Sequence, residues 1–412
     1  MAHLFKGVTR RQLLRGAAAG GVATIAVSAL ASCAGNQETP QGSNPVIDDT
    51  PVVVEEELAT NILTAFSEVT MGLSPTATWE LPLGTVLFPA EGTWIPALVA
   101  GEAASPMVTA NVFSSSSGEM YPVVSKPITQ GTNIEIFSAR CSDQVFAWVE
   151  ADLLTHEWWL YASALKDGEL QGEPTALWNA TGDWDPAQYC CTGRAVIWQV
   201  QPSLSGEKTS EFSHAYLWRL GQSEAKTVLE SQGRFACEPQ ASGGTVTITP
   251  RVLPDKGTYY GMTAYSLMDD LEVPLAQLVM PSPVKPFDAV YIDDRFFFSV
   301  EASYQSGALL GSMGYYIGTK AEDIQFLGRE PAANIACTGD LAFIKCRSFY
   351  YVANLAKKTY TALAAEDRCL EFGEYPARMG KGSNFVTFTT VVDAGTGYPS
   401  KVVVRVFNQP SD

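Results

Sequence analysis

The residues of this chain that could do chemistry are few, and carboxylates dominate them. Asp183 and Asp185 alternate in the segment NATGDWDPAQ, Asn179 to Gln188. If that segment is extended, the two side chains point the same way and offer paired oxygens for Ca²⁺. Asp and Pro are equally ordinary turn residues, and the other ligands of an EF-hand-like loop are missing. Glu150 and Asp152 join them as candidates for a carboxylate-pair hydrolase or lyase, because such pairs are placed by geometry rather than by sequence spacing. Asp269 with Asp270, and Asp293 with Asp294, fall at strand turns and read as turn residues. His156 and His214 each precede an aromatic stretch, but no GxSxG elbow or HExxH pair accompanies them.

Beyond Cys33, seven cysteines follow: Cys141, Cys190, Cys191, Cys237, Cys337, Cys346 and Cys369. An odd number leaves at least one thiol unpaired within a single chain. Cys141, Cys191 and Cys337 share one position of a repeat described next, and Cys237 lies near it. That favours a buried position wanting a small apolar residue; a bridge such as Cys190–Cys237 is the alternative. No CxxC pair points to zinc or an iron–sulfur cluster, and no cofactor is expected apart from the Ca²⁺ alternative. Trp158–Trp159 reads as packing between repeats, with a sugar-stacking platform as the lesser reading.

The element that must position these groups is a strand used repeatedly. SDQVFAWVE begins at Ser142, TGRAVIWQV at Thr192, SGGTVTITP at Ser242 and IDDRFFFSV at Ile292, each fifty residues after the last. TGDLAFIKC at Thr338 and GSNFVTFTT at Gly382 continue at slightly shorter spacing. Every copy opens on a small or turn-forming pair and then alternates with period two, the pattern of a half-buried strand entered through a tight turn. A strand before the turn, such as IEIFSARC at Ile134, and two after it, such as HAYLWRL at His214 and KTVLE at Lys226, make four strands per repeat.

Repeats of about 40–50 residues built from short strands indicate an all-β chain folded as a single β-propeller. The turn-then-apolar phrase resembles the repeats of TolB-like and WD40-like propellers, although it carries little of their Pro-Asp-Gly signature. Seven four-stranded blades account for the length, with six or eight as alternatives. Trp94 to Val124 reads as a divergent first repeat. The last repeat ends after KVVVRVF, and TVLFPA, Thr85 to Ala90, is expected to supply its missing strand and close the ring.

The N-terminus reads as an export signal. Paired arginines, Arg10 and Arg11, stand in TRRQLLRG ahead of the short apolar run Ala17 to Leu30, and LASC follows at Leu30 to Cys33. The first motif resembles a twin-arginine signal and the second the lipobox of bacterial lipoproteins. The resemblance implies passage through the twin-arginine export machinery, lipoprotein processing, and a lipid anchor on Cys33 at the outer face of the cytoplasmic membrane. The expected organisation is a signal over 1–32, the acylated Cys and a flexible tether over 33–74, and the propeller over 75–412. Within the tether, Glu55 to Phe66 has the composition for one or two helical turns.

The formal charge is −17, and removal of residues 1–32, which hold four basic residues and no acid, leaves 23 basic against 44 acidic, a net −21. Nucleic acid is excluded as a partner by the lack of clustered Lys and Arg. Anionic lipid repels such a surface, so membrane residence needs the anchor. The sequence therefore points first to a lipid-anchored binding or scaffold module for an envelope protein or ligand, more in keeping with a non-enzyme. A propeller-fold hydrolase or lyase acting on a carbohydrate or cationic substrate through loop carboxylates is the alternative, and a redox accessory protein ranks third.

Overall fold

The computed structural model describes residues 50–101, 106–301, 308–331, 333–346, 349–363 and 374–408. The expectations for Arg10, Arg11, Cys33 and Cys369 lie outside them.

Seven hydrogen-bonded sheets follow one another along the chain. The first is Thr85–Leu87, Trp94–Val99, Ala110–Ser114 and Met120–Val124; the second is Ile134–Cys141, Val145–Asp152, Trp158–Lys166 and Glu169–Ala180. The third runs Gln188–Thr192, Ala195–Val200, Ser213–Arg219 and Lys226–Ser231. The fourth is Gln240–Ser242, Thr245–Ile248, Tyr259–Ser266 and Pro274–Val279, with Arg251–Val252 added beside Tyr259–Ser266. Pro286–Ile292, Arg295–Val300, Gly314–Gly318 and Gln325–Leu327 form the fifth, and Ala336–Thr338, Leu341–Lys345, Tyr350–Asn354 and Thr359–Leu363 the sixth. The seventh combines Glu374–Pro376, Asn384–Val392 and Pro399–Asn408 with Ala77–Pro82 from the N-terminal side.

The repeated phrase is the second strand of its sheet, entered through the tight turn its sequence demands. Gly243 and Gly244 have φ of +59° and +83°, and Asp293 and Asp294 +47° and +62°. Positive φ at both central residues is the hairpin geometry whose twist matches the flanking strands. Alternation then sends one side of each strand to the preceding sheet and the other to the next. Val196 and Trp198 pack toward the second sheet with Val149 and Trp158, whereas Ile197 packs toward the fourth with Val246 and Ile248. One such apolar cluster fills each gap between successive sheets, and another, around Leu87, Ile95, Val386 and Val404, lies between the seventh sheet and the first. The fold is a single all-β propeller.

Two expectations need correction. Thr85–Leu87 does not complete the last sheet; it pairs with Trp94–Val99 as the inner strand of the first. The strand beside Pro399–Asn408 is instead Ala77–Pro82, antiparallel from Ala77↔Val406 to Pro82↔Lys401. Its sequence alternates, with Ala77, Trp79 and Leu81 on the covered side and only Leu81 buried, but alternation alone does not say which sheet a strand joins.

The second correction concerns the tether, whose described part is docked. The backbone N–H of Val52 donates to Val279 O (2.8 Å) at the outer edge of the fourth sheet. Thr60–Asn61 then pairs in parallel with the outer strand of the fifth, and Ser67–Glu68 with that of the sixth. Between them lie a 3₁₀ turn, Glu56–Leu58, and one helical turn, Ile62–Ala65, which Asn61 Oδ1 caps by accepting from Leu63 N (3.0 Å). Val54 and Ile62 are fully buried and Phe66 is nearly so. This segment is a belt laid across three sheet edges, holding the fourth through Val52 and the fifth and sixth by two or three residues each. Such short contacts leave no periodicity to read.

Candidate functional site: the propeller axis

The first strand of each sheet faces the axis, as contacts between sheets that are not neighbours show. Arg140, on the first strand of the second sheet, extends its guanidinium to Glu238, which enters the fourth (Nη2–Oε2 3.0 Å). It passes over the rings of Phe88 (5.1 Å) and Tyr189 (5.5 Å), contributed by the first and third sheets. Tyr189 Oη lies 3.1 Å from Ser138 Oγ, which fixes its ring beside the guanidinium. On the far side, Gln240 Nε2 donates to Asp288 Oδ1 of the fifth sheet (3.0 Å).

The electrostatics of this cluster follow from its burial. Asp288 is 4 % exposed; desolvation first, and the Glu238 charge second, push its carboxyl up to about 7. The backbone N–H groups of Ala289 and Ile335, with Gln240, pull in the opposite direction and do not prevail. Burial works against the charge of Arg140, but Glu238 and Tyr189 together more than offset it, so the guanidinium stays fully charged. Glu238 keeps a third of its side chain in solvent and is the accessible member. The arrangement can bind a polar ligand, and it can hold or release one proton near neutral pH.

The turn end of the axis is bridged. Glu91 accepts from Thr192 Oγ1 (3.2 Å) and from the backbone N–H of Gly243, linking the first, third and fourth sheets. Lys381 pairs with Asp293, and its backbone N–H donates to Ser242 Oγ (3.0 Å). Gly380 makes that crossing feasible: its φ is +62°, and a Cβ there would sit 2.8 Å from Ala241 O.

The acids singled out from sequence do not come together. Asp183 Oδ1 accepts from Glu207 N (3.1 Å), while Asp185 pairs with Arg234. The paired-oxygen arrangement expected of a Ca²⁺ loop is therefore not formed, because the two carboxylates serve different loops. Glu150 is fully buried and accepts from Ile128 N (2.8 Å), Thr129 N (2.8 Å) and Trp148 Nε1 (2.9 Å). Asp152 Oδ1 accepts from Leu154 N (2.8 Å) and Thr155 N (3.0 Å), closing the next turn. These carboxylates hold loops in place. His214 Nε2 lies 3.2 Å from Glu230 Oε2 across one hairpin, and His156 adopts a left-handed turn at φ +61°.

Among the described residues no three His, Cys, Asp or Glu side chains gather closely enough to hold a metal ion. Cys141, Cys190, Cys191, Cys237, Cys337 and Cys346 are unbridged and buried, and burial pushes their thiols up. The Cys190–Cys237 bridge is not made, and the buried small-apolar reading describes these positions. Among the described residues no helix is long and apolar enough to cross a membrane.

Arg140, Glu238 and Asp288 were not candidates from the sequence, though a signal was present. Four residues before each turn phrase stand Ser138, Gln188, Glu238 and Asp288, spaced by fifty and polar in otherwise apolar strands. A repeated polar position on the innermost strand marks the axis.

No protein-family model matches the chain, and no curated protein matches it. Solved structures do. The β-propeller domain of the Trilobed protease from Pyrococcus furiosus is 8 % identical, with a TM-score of 0.49 over 82 % of this chain and 97 % of that one. Oligogalacturonate lyase in complex with manganese is 11 % identical (TM-score 0.46; 84 % of this chain, 99 % of that one). Puromycin hydrolase is 10 % identical (TM-score 0.48; 88 % and 57 %). At such identities the likeness is one of fold alone.

Proposed function

We propose that this chain is an exported, lipid-anchored propeller that binds a ligand or an envelope protein at its axis. Taking each sheet as one blade gives a seven-bladed ring, with Ala77–Pro82 as the strand that closes it. The observation that carries the binding role is the cluster of Arg140, Glu238 and Asp288: charged groups from three sheets converge there, and Glu238 remains open to solvent. Membrane attachment through Cys33, after export directed by Arg10 and Arg11, would set the domain at the outer face of the cytoplasmic membrane. With −21 charges on the mature chain, basic surfaces and cations are the attracted partners.

The test is crosslinked capture of envelope proteins and ligands by the lipidated chain in its native membrane, alongside the Glu238→Gln variant. One stoichiometric partner that the variant loses supports the axial site. A partner retained undiminished by the variant refutes it.

A second reading has its own support. Asp288, its carboxyl pushed up to about 7 by burial and by the neighbouring Glu238, can serve as a general acid, with Glu238 as the second carboxylate of the pair. A hydrolase or lyase acting on a carbohydrate or cationic substrate would use that pair in place of the loop acids. Turnover of an oligosaccharide panel that Asp288→Asn abolishes would favour it; no turnover by the folded wild-type protein would dismiss it.

A further inference from the structure

The gap between the third and fourth sheets is apolar through most of its depth and then turns polar. Ile197, Ala215, Leu217 and Leu229 of the third sheet meet Val246, Ile248 and Tyr265 of the fourth. Strand alternation continues that face of the third sheet through Gln199 and Gln201 on one strand and Ser213 on the next. The paired register places Gln199 opposite both Gln188 and Ala215. Ser231, on the same face, accepts at Oγ from Arg251 N of the fourth sheet (3.0 Å), so the two sheets meet there directly.

These polar groups are sealed in without partners. Gln199 and Ser213 are 0 % exposed and Gln201 is 2 % exposed. Gln199 Nε2, Gln199 Oε1, Gln201 Oε1, Ser213 Oγ and Arg251 Nε are all buried with no protein hydrogen bond. An amide or hydroxyl left so is costly, and nearly all such groups in folded proteins have a partner. Five in one gap identify a place where the partner is a guest. Above the gap, Arg234 pairs with Asp185 and donates to Pro202 O, tying three connecting loops across its loop end.

We propose that this gap is a binding site for an uncharged, hydroxyl-bearing guest: ordered water, or a small polyol. Gln199 presents a donor and an acceptor side by side, and a hydroxyl group answers both at once. Buried polar groups of this kind recruit a hydrogen-bonding guest, whereas purely apolar surroundings stay dry. A neutral hydroxyl suits the site because the amides and hydroxyls of Gln199, Gln201 and Ser213 are neutral, while a hydroxyl oxygen can also accept from Arg251 Nε.

The test is a high-resolution crystal structure of the whole mature protein, purified and cooled without polyols. Density within hydrogen-bond distance of the Gln199 amide and Ser213 Oγ is expected. Discrete peaks identify water, and one continuous feature with a matching mass increment in native mass spectrometry identifies a polyol retained from the cell. In Gln199→Leu the density should disappear, and in the milder Ser213→Ala it should thin on that side. A Gln199 amide bonded directly to protein groups, an empty gap, or density unchanged in both variants would overturn the proposal.

Discussion

Asp288 ties the axial cluster to a measurable pH dependence. Its carboxyl rises to about 7 on folding, from about 3.9 in an unfolded chain. A carboxyl whose pKa is raised binds its proton more tightly in the native state. Its contribution is therefore fully present below the unfolded value and is lost as pH climbs through about 7. From pH 5.5 to about 7, a span of about 1.5 units, the folded carboxyl holds its proton and the unfolded one does not, so this group alone removes about 2 kcal/mol of stability between pH 5.5 and 8.5. Asp288→Asn fixes the neutral form and keeps an oxygen that accepts from Gln240. Urea unfolding of both proteins at the two pH values should show the variant's relative stability improving by about 2 kcal/mol at the higher pH. The ¹³C shift of the Asp288 carboxyl should titrate near neutrality. A carboxyl that titrates near 4, or a difference between the proteins that does not change with pH, would refute the reasoning.

Other residues make further predictions. Ile62→Ala removes the fully buried side chain that pins the belt between the fifth and sixth sheets, and should cost about 2–5 kcal/mol in denaturant unfolding; an unchanged midpoint would mean the belt does not dock. Glu150→Ala strips the acceptor from Ile128 N, Thr129 N and Trp148 Nε1, and should cost at least about 2–3 kcal/mol while exposing residues 126–131 to faster amide exchange. The six described cysteines should resist alkylation in the native protein and react only on unfolding; rapid labelling of any of them under native conditions would contradict their burial.

How much of this was legible in the sequence depended on whether a residue's role repeats. The strand phrases recur because every sheet meets the same two neighbours, so the slot holding Trp148, Trp198, Ile248 and Phe298 stays large and apolar. The cysteine slot was legible for the same reason. The carboxylates misled because Asp and Glu look alike whether they hold a ligand or a loop: Glu150 and Asp152 differ from Glu238 only in what surrounds them. Arg140 and Glu238 are 98 positions apart in sequence and meet only because the first strands of their sheets face the same axis. Ala77–Pro82 was not assigned as the closing strand because its alternation does not name the sheet it joins, and the belt was missed because it holds its sheet edges by too few residues to set up a period.

The belt and the edge strand after it also order events in time. The backbone N–H of Ser67 donates to Lys358 O and that of Thr76 to Val406 O, partners far downstream in the sequence. Neither can reach its place until the strands of the sixth and seventh sheets have been made. The seventh sheet is completed by residues from opposite ends of the chain, so its formation waits on the longest loop closure in the molecule. A chain shortened at its C-terminus loses the partners of its N-terminus as well, and both ends should come loose together. The docked belt is thus a late mark of folding, and limited proteolysis near Ile62 would report whether the downstream sheets it rests on have formed.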